Sequence, residues 1–306
     1  DPRLREARAH LWRGQGNDAY WHGIFGGCYL PHLRRAVKQA LISADRLLGE
    51  AAPGPPIRLR REDINGDGRV EVAVRTAAFS LTLNPEAGGS LTEIGYLPKP
   101  LDLGDVLTRR PEAYHFQVRA AAPTQAGPAV NTIHGRIAGK EEGLDSLLAY
   151  DRFRRASLLD GLFPLEGPID PIDPWPRALL CFGDRRMDLE IQSSAEKVTI
   201  MFSTENSGGW PLKLHKTVTV PQERGEFHVT YRLRWSGAAP LHARWGVQWN
   251  LAMTAGDAPG PFYDLPDTPS LGSRGEAREL DCIGLVDEWA GCSARLVWER
   301  TCQAAW

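Results

Sequence analysis

The fold is decided by Ala-Ala-Pro-Gly-Pro-Pro, residues 51–56, where the hydrophobic period of the sequence changes. Before this stretch, apolar residues recur every three or four positions, as they do along one face of an amphipathic helix. After it, short runs alternate apolar and polar residues, which is typical of half-buried β-strands. Because proline and glycine favour turns and chain breaks, residues 51–56 are predicted to link two parts of different structure.

The first part, residues 1–52, is predicted to be a short helical segment. Pro31 suits the first turn of a helix, and Gly49 suits its end. The apolar face between these two residues consists of Leu33, Val37, Ala40, Leu41, Ala44 and Leu48. Arg34, Arg35, Lys38 and Gln39 fall on the other face.

The second part, residues 57–306, is predicted to be a large antiparallel β-sandwich, because it contains many short strands and few helices. Gly, Pro, Asn and Asp separate the alternating runs. The runs are Arg69–Arg75, Phe79–Leu83, Leu91–Tyr96, Met187–Gln192, Lys197–Ser203, His215–Val220, Phe227–Trp235 and Arg244–Met253. Residues 121–145 and 254–280 are less regular and are predicted to be loops.

Composition excludes two classes of partner. The 306 residues include 36 basic and 38 acidic side chains, so neither nucleic acid nor a membrane surface is predicted to bind. No apolar run approaches the roughly 18 residues of a membrane span. The five cysteines contain no Cys-x-x-Cys pair, which favours free thiols in a reducing compartment and predicts a cytoplasmic protein.

A candidate binding site lies in residues 14–27, which read Gly-Gln-Gly-Asn-Asp-Ala-Tyr-Trp-His-Gly-Ile-Phe-Gly-Gly. Asp18 and Trp21 are three positions apart, so they share one face of a helical turn. A carboxylate accepts hydrogen bonds from sugar hydroxyls, and an indole packs on the apolar face of a pyranose. Asn17 and His22 would add donors. The alternative is that Asn17 or Asp18 caps a helix and that Tyr20 and Trp21 are buried aromatic residues.

The segment from Ala9 to Arg35 resembles the fifth conserved region of glycoside hydrolase family 57, which contains α-amylases and 4-α-glucanotransferases. Three further segments resemble parts of the C-terminal β-domain of that family. They are Asp105–His115, Tyr150–Arg155 and Trp245–Asn250. The resemblance covers essentially the whole chain, and its motifs follow the order expected for the family.

The resemblance implies the C-terminal portion of a retaining enzyme that acts on α-1,4-glucans. In this family the nucleophilic Glu and the acid/base Asp lie on an N-terminal barrel with a His-Gln-Pro motif, which this sequence lacks. Asp18 and Trp21 match the family residues that line the glucose subsite, and Asn17 and His22 belong to the same motif. The implied partners are an α-1,4-glucan or maltooligosaccharide and that catalytic barrel. The chain alone is therefore predicted to be inactive.

Two other functions stay open at this point. The chain is a candidate for a standalone carbohydrate-binding or scaffold module that partners a separate catalytic barrel. A mutarotase-like enzyme on the sandwich itself would need a His/Glu pair on a concave sheet face. His215, His228 and His242 are available for such a pair.

No cofactor is required by this function, but one loop has the spacing of a calcium site. Asp63, Asn65 and Asp67 place oxygen ligands at positions 1, 3 and 5, and Gly68 stands at position 6. Position 12 is Val74, where an EF-hand loop has a bidentate glutamate. A tight hairpin turn explains the same residues without a metal. The sequence leaves calcium binding and a plain turn as alternatives.

Overall fold

The helices of the computed structural model lie mainly at the start of the chain. The structure describes residues 1–23, 25–52, 54–120, 143–205, 209–254, 256 and 259–306. Its helices are Pro2–Gly14 (α1), Pro31–Ala51 (α2) and Ala113–Ala120 (α3). No helix in these described ranges is long and apolar enough to cross a membrane. The chain divides into two compact units, one of residues 1–106 and 156–306 and the other of residues 107–155.

The larger unit contains fifteen β-strands within its described residues. The strands are Arg58–Glu62 (β1), Glu71–Arg75 (β2), Phe79–Asn84 (β3), Ser90–Tyr96 (β4), Leu101–Asp102 (β5), Leu159–Phe163 (β6), Leu180–Cys181 (β7), Asp188–Ser193 (β8), Lys197–Thr204 (β9), Leu212–Pro221 (β10), His228–Trp235 (β11), Arg244–Gln248 (β12), Phe262–Asp264 (β13), Glu276–Asp287 (β14) and Cys292–Ala305 (β15). They form four antiparallel sheets, ordered β1-β2-β3-β4-β5, β11-β10-β9-β8, β12-β6-β7 and β13-β14-β15. All eight predicted runs overlap a strand, and the predicted antiparallel β-fold after a short helical segment is confirmed.

One apolar core joins the five-stranded and four-stranded sheets. The first sheet contributes Val74 and Leu81, and the second contributes Ile200 and Phe202; all four are buried. Along β10, buried and partly exposed residues alternate from end to end, as the period of two requires. The outward residues of β8 to β11 therefore lie on the face of the sheet that points away from this core.

The loop prediction for residues 254–280 is wrong in part, because β13 and the start of β14 lie there. The pairing register of β14 with β15 shifts between Ala277 and Leu280, and again before Cys282. Glu279 also has a left-handed φ of 57°. Such irregularities break the alternation of apolar and polar residues, so the period-two pattern does not reveal this strand. Of the other predicted loop, residues 121–142 lie outside the described residues.

A group of polar residues around the buried Lys216 and Asp160, here called the buried ionic centre, connects three strands and a turn. Lys216 forms an ion pair with Asp160 and donates to the carbonyls of Gly88 (2.7 Å) and Leu158 (2.9 Å). The Tyr231 hydroxyl donates to Asp160 Oδ1 at 2.8 Å. Burial raises the pKa of Asp160 and lowers that of Lys216, and the attraction between them opposes both shifts. This centre ties β6, β10 and β11 to the Gly88 turn.

Helix α2 contacts the five-stranded sheet through charged residues. Lys38 Nζ lies 2.7 Å from Glu93 Oε1 and 3.2 Å from Asp102 Oδ2. Burial alone would lower the pKa of Lys38, but these two carboxylates outweigh it and raise that pKa above its ordinary value. Two turns further along α2, Asp45 accepts from Arg75 Nε at 2.8 Å. The polar face of α2 therefore fixes the helical segment on the sheet.

In the unit of residues 107–155, Asp151 is the centre of a hydrogen-bond cluster. It accepts from the backbone N–H of Arg109 at 2.7 Å, from Arg109 Nε at 2.9 Å and from Arg155 Nη2 at 2.8 Å. Burial alone raises the pKa of Asp151, but the donors of Arg155 and Arg109 outweigh it and hold that pKa well below its usual range. The cluster joins two of the segments that carry the family resemblance.

Candidate functional site

The candidate binding motif occupies the connection between α1 and α2. Residues Asn17–Tyr20 form a 3₁₀ turn directly after α1. The Tyr20 hydroxyl donates to the Gly14 carbonyl at 2.5 Å, so this turn is attached to the last residue of α1. Gly14 in turn lies so close to Leu41 of α2 that a Cβ would stand 2.4 Å from Leu41 Cδ2. The motif therefore starts from a closely packed pair of helices.

The backbone of Trp21 is fixed by the glycines that follow it. Trp21 is extended, with φ −141° and ψ 168°, and its carbonyl accepts the N–H of Cys28 at 2.7 Å. Gly27 has a φ of +50°, and a Cβ there would stand 2.1 Å from the Trp21 oxygen. Only glycine fits this position, because it combines a left-handed φ with a close backbone approach. The local sequence thus holds Trp21 without using its side chain.

Four side chains of this connection, here called the site surface, face solvent: Asn17, Asp18, Trp21 and His22. Trp21 is 45% exposed, so it is not a buried core residue. The ring of His22 meets the Trp21 ring edge-on, with 5.4 Å between centroids and 66° between planes. Neither Asn17 nor Asp18 caps α1 or α2, whose N-caps are Asp1 and Leu30. The geometry leaves a carboxylate, an amide and an indole open to a ligand.

Arg34 of α2 attaches the end of the motif to the segment that follows β5. Its Nη1 donates to the Cys28 carbonyl at 2.5 Å, and its Nε lies 3.4 Å from Asp105 Oδ1. Burial raises the pKa of Asp105, although the Arg34 charge opposes this shift. The side chains of the site surface are therefore exposed, whereas the backbone of the segment is held by contacts with its neighbours. The sequence prediction did not single out Arg34, because the helical pattern only placed it on the polar face of α2.

The structure does not bring the three available histidines together. His215 lies on β10 opposite Ser203, and His228 lies on β11 opposite Thr219. Four residues along one strand separate these positions, a distance of about 13 Å. His242 lies between β11 and β12. His215 lines a depression on the outer face of the four-stranded sheet together with Glu190, whereas His228 and His242 do not line it.

The loop with calcium spacing forms a tight turn. Asp63 accepts the N–H groups of Gly66 (2.8 Å), Asp67 (3.1 Å) and Gly68 (2.9 Å). Asn65 Oδ1 accepts the Asp67 N–H at 2.8 Å. Among the residues that the structure describes, no three His, Cys, Asp or Glu side chains are placed to hold a metal ion. The turn alternative accounts for Asp63, Asn65 and Asp67, and calcium binding there stays a prediction.

The sequence matches two family models. Residues 63–306 match the C-terminal model, and residues 1–48 the middle-domain model, of α-amylase/4-α-glucanotransferase. Alpha-amylase 1 of Dictyoglomus thermophilum is 34% identical over 265 residues, which are 86% of this chain and 37% of that protein. The 4-α-glucanotransferase of Thermococcus kodakarensis is 41% identical over 165 residues, which are 54% of this chain and 24% of that protein.

A solved structure gives the same result for the fold. The crystal structure of the 4-α-glucanotransferase from Thermococcus litoralis superposes with a TM-score of 0.70 at 27% identity. The superposition covers 98% of this chain and 40% of that chain. The chain therefore spans about two fifths or less of the length of these relatives.

Proposed function

Because the chain belongs to the α-amylase/4-α-glucanotransferase family, we propose that it is the middle and C-terminal portion of a retaining α-1,4-glucan-acting enzyme. In this proposal the helical segment supplies part of the glucose-binding site, and the β-sandwich is a structural domain. The nucleophile and the acid/base lie on the catalytic barrel of the longer enzyme. A retaining reaction needs two such carboxylates about 5–5.5 Å apart.

The observation that carries this proposal is the exposure of Asp18 and Trp21 on a connection whose backbone is anchored at both ends. Asp18 would accept hydrogen bonds from glucose hydroxyls, and Trp21 would pack against the apolar face of the ring. Asn17 and His22 would donate to further hydroxyls. A fixed backbone orients these groups before the substrate arrives, which lowers the entropic cost of positioning the sugar.

The test is the kinetics of Trp21→Ala and Asp18→Ala in the longer enzyme on maltooligosaccharides. We expect kcat/KM to fall at least tenfold for each, since stacking and oriented hydrogen bonds contribute roughly 1–3 kcal/mol. Trp289→Ala is the matched control, because Trp289 is 72% exposed and lies at the turn between β14 and β15. It should leave kcat/KM unchanged. Normal kinetics of Trp21→Ala with an unaltered melting temperature would contradict the proposal.

The 306-residue chain alone separates this proposal from the standalone binding module. We expect no hydrolysis or disproportionation, and weak or no binding of maltotriose at the site surface, read from the NMR signals of His22. A binding module would bind maltotriose tightly there without the barrel. Turnover by the pure chain that Asp18→Ala abolishes would contradict the assignment of the reactive carboxylates to the barrel.

We also propose that the enzyme is cytoplasmic. The sequence has five cysteines and no Cys-x-x-Cys pair, which supports a reducing compartment. Titration of the unfolded chain with a thiol reagent, without prior reduction, should detect all five. A recovery of only three thiols would indicate a disulfide and contradict the proposal.

A further inference from the structure

The outer face of the four-stranded sheet carries an open depression of about 360 Å³. Two rows of side chains line it, because the pairing register aligns residues of β8, β9, β10 and β11 across the sheet. The first row is Asp188, Ser203, His215 and Arg232. The second row is Glu190, Met201, Thr217 and Thr230. The volume lies within the range of small-ligand sites, about 300–1,000 Å³.

The two rows bring distant parts of the chain within reach of one small molecule. Directly paired residues of antiparallel strands have Cβ atoms about 4.5–5.5 Å apart. Three such steps lead from Asp188 on β8 to Arg232 on β11, a span of about 15 Å. A ligand the size of one or two sugar rings can therefore contact both ends of the row.

The chemistry of the lining fits a neutral, hydroxyl-rich ligand. The carboxylates of Asp188 and Glu190 accept hydrogen bonds at one end, and the guanidinium of Arg232 donates at the other. This mixture of charges favours neither a simple cation nor a simple anion. Sugar hydroxyls both donate and accept, so they satisfy both ends. In the middle, Ser203 offers a hydroxyl and Met201 an apolar contact for a C–H face.

Three of these polar groups are available to a ligand, whereas Glu190 Oε1 already accepts from Gln192 Nε2 at 3.2 Å. Within the described residues, the side chains of Asp188, Ser203 and Arg232 make no hydrogen bond or ion pair with another residue. The solvent-facing side of any sheet is polar. Here that side is also concave, and its donors and acceptors are sorted to opposite ends.

We propose that this sheet depression is a second carbohydrate site, which binds one or two rings of a neutral sugar. It lies on β8 to β11, whereas the site surface lies between α1 and α2. Asp188 and Glu190 accept from ring hydroxyls, Arg232 donates to hydroxyl and ring oxygens, and Met201 packs against the ring. The assignment rests on the chemistry of the depression and is independent of the proposed function.

The test is an NMR titration of the 306-residue chain with glucose, maltose and maltoheptaose, read at the imidazole signals of His215. His215→Gln assigns these signals. We expect a saturable shift with maltose and a dissociation constant on the order of 1 mM. Tighter binding of maltoheptaose would identify a glucan chain as the source of the sugar, and equal binding of all three would identify a free sugar.

Two arginines on the same strand supply the matched variants. Arg232→Ala should raise the dissociation constant at least about tenfold, because it removes charge-assisted hydrogen bonds. Arg234→Ala should change it less than about twofold, since Arg234 pairs with Lys213 in the next row, outside the depression. Asp188→Asn keeps the shape of the side chain and should weaken binding as Arg232→Ala does. It replaces Arg232→Ala in the test if that variant fails to fold.

Several outcomes overturn the second site: no saturable shift at His215, unchanged affinity in Arg232→Ala and Asp188→Asn, or equal losses in Arg232→Ala and Arg234→Ala. Asp18→Ala should leave the His215 titration unchanged. A saturable His215 shift together with normal kinetics of Trp21→Ala would support this site and contradict the proposed function. No saturable shift at His215, together with impaired kinetics of Trp21→Ala, would support the proposed function and overturn this site.

Discussion

The buried ionic centre and the site surface both concentrate polar groups, but they use them in opposite ways. In the centre, Lys216 and Asp160 are fully buried, and every contact joins one part of the fold to another. At the site surface, Asp18 and Trp21 are exposed, and backbone contacts of their neighbours hold the segment in place. The polar side chains of the centre therefore contact internal partners, whereas the Asp18 carboxylate and the Trp21 indole face solvent.

The largest change in stability is expected for Lys216→Ala, which tests this difference between the two regions. The variant leaves the Asp160 carboxyl buried without its charge partner, so we expect the free energy of unfolding to fall by about 3–5 kcal/mol. Urea unfolding at neutral pH measures it. Lys213→Ala is the control, because Lys213 lies on the same strand but forms an exposed ion pair with Glu205. It should leave the urea midpoint almost unchanged. Equal midpoints for both variants would remove the distinction between the two regions.

A smaller effect is expected at Asp151, and it depends on pH. Its folded pKa is depressed, so its contribution to stability is present above the unfolded value of about 3.9 and is lost as the pH falls toward the folded value. We expect Asp151→Asn to lower the free energy of unfolding by about 2 kcal/mol at neutral pH, since Arg109 is partly exposed. Urea unfolding at a series of pH values measures it. The difference from the parent should shrink below about pH 4, and a constant difference would argue against the ion cluster.

The smallest effect is expected at the loop with calcium spacing. Asp63→Ala removes an acceptor of three backbone N–H groups, which should cost about 1 kcal/mol of turn stability. Calcium binding is measured by comparing the melting temperature of the parent chain in calcium with its melting temperature in a chelator. We expect them to agree, as the turn alternative predicts. A higher melting temperature in calcium, lost in Asp63→Ala, would instead assign Asp63, Asn65 and Asp67 to a calcium site.

Among the strands predicted from the sequence, β10 shows the clearest contrast between one buried face and one open face. In β10 the alternation is complete from Leu212 to Pro221. All five residues of β6, Leu159–Phe163, are buried, so this strand has no alternation to detect. In β14 the register shifts near Leu280 break the pattern. The lack of a regular period explains why hydrophobic periodicity did not predict β6 and β14.

One residue of the buried ionic centre can be recognised from the sequence pattern of β10. Lys216 stands between Leu214 and Val218 at alternate positions, so the strand pattern alone points it toward the core. A charged residue at an inward position requires a partner. No local pattern identifies that partner, because Asp160 lies on β6, far from β10 in the sequence.

Local residue order was sufficient to predict the helical segment and eight of the fifteen strands, and to single out Asn17–His22 as a candidate site, because period and turn chemistry act between near neighbours. The folded chain was needed to show that Trp21 is exposed and that Asp188 shares a row with Arg232. Pairing between strands depends on how the whole core packs. A shift of one residue in register would place these side chains on the opposite face.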